Sequence, residues 1–116
     1  MSQDQSTILD SLSRHAPFDM LPPETLAVMA GEIERITARP GDILFREGEP
    51  LKGLYFVESG LLDIESANGD LISQRGPGDI MGERGLLRDG NALLGARVTE
   101  TVNLLLIPPK RFLALL

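Results

Sequence analysis

The sequence predicts a mainly β protein, a closed or double-sheet β roll with helices at its two ends. Three observations carry this. Short apolar runs recur between residues 33 and 107, each bounded by glycine, proline, asparagine or aspartate. Apolar residues at helical spacing are confined to the stretches before and after those runs. Asn68-Gly69 lies between two of the runs and is the strongest short hairpin signal there is. An open β-sandwich is the rival, which flanking helices fit less well.

Composition bounds the answer. At 116 residues the chain is expected to be one domain, with a core that needs no metal or disulfide. The apolar fraction of 42% and the charged fraction of 24% are ordinary for a globular domain. A net charge of −6 with interspersed signs argues against a nucleic-acid or anionic-membrane surface. Cysteine is absent, which excludes thiol chemistry and cysteine metal sites, and the single histidine, His15, forms no metal cluster. No apolar run approaches the ~20 residues of a membrane span. The N-terminus lacks the basic-then-apolar build of a signal peptide, so a cytoplasmic protein is expected. Aromatics are scarce and tryptophan is absent, which leaves few platforms for stacking bases.

Each element has its own signal. Residues 5–15 read as a short helix with Ile8, Leu9 and Leu12 on one face, Asp4 and Ser6 near its start, and His15 at its end. His15 has no catalytic partner in sight and reads as a helix-terminal residue. Phe18 to Glu24 turn into a second helix, with proline suited to its first position. There Leu26, Met29, Ala30 and Ile33 form a core stripe. From Ile33 the period becomes two, until Arg39-Pro40-Gly41-Asp42 breaks the strand. Ile43 to Phe45 and Gly53 to Val57 are strands either side of the Arg46–Pro50 turn. Ser59-Gly60 is expected to turn the chain again, before Leu61 to Glu65, the Asn68-Gly69 hairpin and Leu71 to Arg75. Ala92 to Val98 and Val102 to Ile107 complete the strands, and Pro108 opens a final helix. That helix ends on the wholly apolar Leu113-Ala114-Leu115-Leu116, and an exposed apolar stub is unfavourable. The expectation is a single domain over residues 1–116, the N-terminal part of a longer protein, or an end that packs on a partner.

The segment Gly76 to Gly90 is the candidate site. Gly76-Pro77-Gly78 ends a strand, and Gly82 frees the backbone beside Glu83. Leu86-Leu87 then leaves room for one helical turn. Backbone N–H groups at such an opening suit anions, and Glu83 supplies an acceptor for sugar hydroxyls.

Three stretches in order resemble one known family: Ala38 to Pro50, Leu54 to Gly60, and Gly78-Asp79-Ile80-Met81-Gly82-Glu83. They closely resemble the cyclic-nucleotide-binding domain family, over roughly residues 15 to 116. The resemblance implies an eight-stranded, jelly-roll-like β roll (a double-stranded β-helix) with flanking helices. In that family a Phe-Gly-Glu segment, a short helix and a Pro-Arg pair bind the ligand. Glutamate takes the ribose 2′-hydroxyl, and arginine pairs with the cyclic phosphate. Gly82 and Glu83 match the Gly-Glu pair, with Met81 in the phenylalanine place. The Pro-Arg pair falls at Asn91-Ala92, followed by Leu93, and a two-residue shift puts Leu94 at the arginine place. In either register the arginine is missing. Its loss removes about 1.5–3 kcal/mol of charge-assisted bonding, about one to two decades of affinity. Amides at Arg84 and Gly85 compensate only in part. Arg84 and Arg88, on the short helix, either fold inward or, as surface arginines usually do, stay solvated. Arg97 lies an odd number of residues from Ala92 and faces away on a regular strand. The candidate ligand-binding residues are therefore Gly82, Glu83, Arg84, Gly85, Ala92 and Leu93.

Two functions stay open. One is a regulatory sensor domain, for which the resemblance implies cAMP or cGMP as ligand and no other cofactor. Binding would shift the terminal helices, and attached C-terminal domains of the same polypeptide would read the shift. The other is a degenerate, non-binding module used for dimerisation or docking in a larger signalling or nucleotidyltransferase-type protein, with a homodimer among its partners. The apolar wall of Ala92, Leu93 and Leu94 fits that reading. An enzyme is not expected. The β-roll metal enzymes need several converging histidines, and Glu83 with Asp79 lacks a group to position a substrate. Direct contact with nucleic acid or membrane is not expected either, since a helix-turn-helix like those of transcription factors in the family would lie beyond residue 116.

Overall fold

The computed structural model describes residues 3–115. Met1, Ser2 and Leu116 lie outside the described residues, and with them the first two residues of the stretch read for a signal peptide and the last of the apolar stub.

Helix α1 (Gln3–Ser13), a single 3-10 turn (Phe18–Met20) and α2 (Pro23–Ala30) lead into β1 (Glu34–Ala38), β2 (Ile43–Phe45), β3 (Leu54–Glu65), β4 (Leu71–Arg75) and β5 (Ile80–Met81). Helix α3 (Glu83–Arg88), β6 (Gly95–Ile107) and α4 (Pro109–Leu113) follow. Proline opens both α2 and α4, where its missing N–H leaves no intrahelical bond unmade. The strands form one antiparallel, six-stranded sheet in the order β1-β6-β3-β4, with β2 on β6 and β5 on β3.

The class is the mainly β roll with flanking helices that the sequence predicts, built from six strands rather than eight. The difference arises where expected turns are bulges. Ser59-Gly60 does not reverse the chain. β3 runs through it, slipping register against β6 between Val57 and Ser59, Ser59 and Leu61, and Leu61 and Leu62. Gly60 sits at φ +90°, and a Cβ there would lie 2.2 Å from the carbonyl oxygen of Thr101. The two long strands therefore bend together without separating, which closes a roll. The break expected between Val98 and Val102 is the same bend seen from β6. Ala92 to Leu94, read as strand, form a bend that precedes β6. Asn68-Gly69 does join β3 to β4, within the connection 66–70, closed by bonds between Ser66 and both Gly69 and Asp70.

Alternation along the central strands sorts the core into two bodies. Leu54, Phe56, Leu105 and Ile107 face the helices and pack with Ile8, Leu12, Phe18, Leu26, Met29, Leu86 and Phe112. Tyr55, Val57, Leu104 and Leu106 point the other way, into the roll, with Phe45, Leu62, Ile64, Met81, Ala92 and Val98. Continuous apolar runs such as Leu54–Val57 are what a strand buried on both faces requires. His15 is half-buried just past the end of α1, its ring edge-on to Phe56 at 5.1 Å and its Nδ1 2.8 Å from the carbonyl oxygen of Ser11.

Candidate functional site

The six candidate ligand-binding residues, Gly82, Glu83, Arg84, Gly85, Ala92 and Leu93, lie on one cavity. A pocket of about 120 Å³ at the end of the roll interior is bounded by Gly82, Glu83, Arg84 and Gly85 on one side and by Ala92, Leu93 and Leu94 on another. Phe45, Ile64, Ile80 and Met81 line the rest of it, together with Arg75 from β4.

The local chain explains why these residues meet. β5 pairs Met81 with Tyr55, and Gly82 then turns the chain into α3. Leu86 anchors the helix in the helical core and donates its amide to Gly82 O at 3.0 Å. α3 ends after one further turn, where Gly90 N bonds Gly85 O at 2.8 Å. Ala92 is held from outside. Its amide donates to Glu49 O and its carbonyl accepts from Gly48 N, both at 2.8 Å. Glu49 in turn accepts the Arg46 amide through Oε1 at 2.6 Å. The Arg46–Pro50 turn, remote in sequence, thus positions one wall of the pocket.

The arginines separate clearly. Arg97 is exposed and pairs with Glu65 at 3.1 Å, away from this pocket. Arg88 is exposed and lies 3.5 Å from Asp89, also away from the lining. Arg84 lines the pocket from an exposed position. Asp79 does not converge with Glu83. Its carboxylate accepts the Gly76 amide at 2.8 Å and shapes the turn before β5. Glu83 itself is half-buried and makes no bond to another side chain among the described residues, so its carboxylate is available to hydroxyl donors. Among the described residues no group of His, Cys, Asp and Glu is placed to hold a metal.

Arg75 is the lining residue that the sequence reading left out. Counting from the loop closed by Ser66 and Asp70 sets Gln74 opposite Leu62, and a register shift between Ile64 and Glu65 brings Arg75 there instead. Directly opposed residues share a face, and Leu62 is fully buried. Arg75 therefore points inward.

A short helix and a bend thus close a largely apolar cavity at the end of a β roll with flanking helices. Residues 35–116 match the cyclic nucleotide-binding domain family. The chain belongs to that family. It is 34% identical over 70 residues to the acetyltransferase Pat of Mycolicibacterium smegmatis, a match covering 58% of this chain and 21% of that protein. The chain thus spans about a fifth of that relative's length. A cyclic nucleotide-binding-like protein from Brucella abortus superposes with a TM-score of 0.75 at 29% identity, over 93% of this chain and 96% of that one. The regulatory subunit of a cAMP-independent protein kinase A from Trypanosoma cruzi, bound to guanosine, superposes with a TM-score of 0.83 at 23% identity, over 97% and 40% of the two chains. No helix among the described residues is long and apolar enough to cross a membrane.

Proposed function

We propose that this chain is a sensor module that binds a nucleoside-containing small molecule, cAMP or cGMP in the first instance, and controls an attached effector domain. Glu83 accepts the ribose hydroxyls, and Phe45, Ile64, Leu93 and Leu94 form the apolar walls for the base and sugar. The single observation carrying this is the open pocket at the expected residues. A degenerate docking module has no use for a cavity here, and side chains as large as Leu93 and Leu94 leave it open. The guanosine held by the Trypanosoma cruzi regulatory subunit supports a nucleoside as the ligand class.

The route of the signal follows from packing. α3 lines the pocket through Glu83 to Gly85 and buries Leu86 in the same cluster as Phe112 of α4. A ligand that moves α3 repacks α4, provided that it binds the two arrangements with different affinity. Titration calorimetry with cAMP and cGMP tests the reading. Wild-type binding that weakens about tenfold to a hundredfold in Glu83→Ala, the loss of bonds to a charged acceptor, supports it. No heat with either nucleotide retires it.

A further inference from the structure

We infer that Arg75 supplies the positive charge that the family's usual arginine position lacks here, so that the pocket takes an anionic ligand with its negative group against β4. The inference rests on the sensor reading above and names the ligand's charge and the residue that meets it.

Four observations converge. Arg75 is half-buried and lines the pocket, whereas Ala92, Leu93 and Leu94 carry no charge. Its guanidinium is not engaged by a carboxylate. The ion pairs among the described residues use Arg14, Arg35, Arg88, Arg97 and Arg111. The protein contacts of Arg75 all fall on Nη1, which donates to Ser73 Oγ at 2.7 Å and to Gln74 O at 3.4 Å. Those bonds hold the planar group in place and leave Nε and Nη2 without a protein acceptor. No described side chain buries a nitrogen or oxygen without a partner, so these two donors are open to solvent and to a ligand. Finally, the lining carries two arginines, Arg75 and Arg84, against one carboxylate, Glu83. The chain as a whole carries −6. A locally positive cavity in an acidic protein selects negative ligands.

A half-buried guanidinium with two free donor nitrogens is the usual partner of a phosphate or carboxylate. Its free nitrogens are open to solvent, and an anion gives them a charged acceptor in a cavity otherwise walled largely by Phe45, Ile64 and leucines.

The test is calorimetry on the full chain with four probes: cAMP, cGMP, adenosine and guanosine. The proteins are wild type, Arg75→Gln, Arg75→Lys and Arg97→Ala, each checked for its fold by circular dichroism. Arg97→Ala controls for the loss of a positive charge outside the pocket. The inference expects Arg75→Gln to weaken cyclic nucleotides about tenfold to a hundredfold while nucleosides change little. Arg75→Lys, which keeps the charge but loses the fork, is expected to fall between. Rising salt should weaken cyclic nucleotide binding to wild type more than to Arg75→Gln. Unchanged cyclic nucleotide binding in Arg75→Gln overturns the inference and leaves the sensor reading standing. Equal losses for guanosine and cGMP also overturn it, because Arg75 would then read the base rather than a charge. Wild type binding none of the four probes overturns both.

Discussion

A Cβ built at Gly85 would lie 2.3 Å from the Asn91 carbonyl oxygen and 2.7 Å from Leu51 Cδ1. Leu51 Cδ1 is the end of a flexible side chain, but the Asn91 carbonyl belongs to the backbone that carries Ala92. Gly85→Ala is therefore expected to push α3 away from the bend at Asn91–Leu94, abolishing binding and lowering the thermal midpoint. Calorimetry and a melting scan on one sample check both, and a variant that binds like wild type refutes the close approach. Phe56 makes the complementary case in the core. It is fully buried and meets His15 and Phe18 edge-on at 5.1 and 6.2 Å. Phe56→Ala should cost about 3–5 kcal/mol, read as a lower urea midpoint at an unchanged slope.

The terminal helices are tied to the roll by charged contacts at known places. Arg35 of β1 reaches Asp4 at 2.9 Å, Thr7 at 3.2 Å and Glu58. Ser11 donates to the same Glu58 at 2.9 Å. Arg35→Ala should loosen α1 and leave Glu58 with one partner, a loss of about 1–3 kcal/mol. Faster amide exchange confined to α1 is the expected signature. At the other end Arg111 Nε donates to Glu32 Oε2 at 2.7 Å, joining α4 to the end of α2. This bond lowers the Glu32 carboxyl below its ordinary value of 4.5, and it raises Arg111. A carboxyl lowered in the folded state stabilises above the ordinary value and loses that contribution as the pH falls through the lowered one. Amide protection of α4 should thus decline below about pH 4.5. In Glu32→Gln it should already be weak at neutral pH and should not fall further at that step. A wild type whose α4 protection is flat across that range refutes the tie.

Over the whole molecule, α3 connects the roll and the helical core. Its first turn faces the pocket, and Leu86 lies in the cluster that holds Phe112. Ligand binding should consequently slow amide exchange in α3 and change it in α4, with little effect in β1, which pairs only with β6. Exchange measured with and without ligand checks this, and an effect confined to residues lining the pocket would show that no signal leaves the site. Sequence alone determined the class of fold and picked out half of the residues that line the cavity. Alternation, turn residues and the Gly82-Glu83 pair are local, and local backbone preference is written residue by residue. Tertiary structure alone decided that Ser59-Gly60 is a bend within one strand, because that depends on Thr101 lying across from it. It alone set the Arg46–Pro50 turn against Ala92 and gave the outward-facing Arg97 its partner, Glu65. Each of those outcomes depends on which distant segment arrives beside the residue, and no local pattern contains that information.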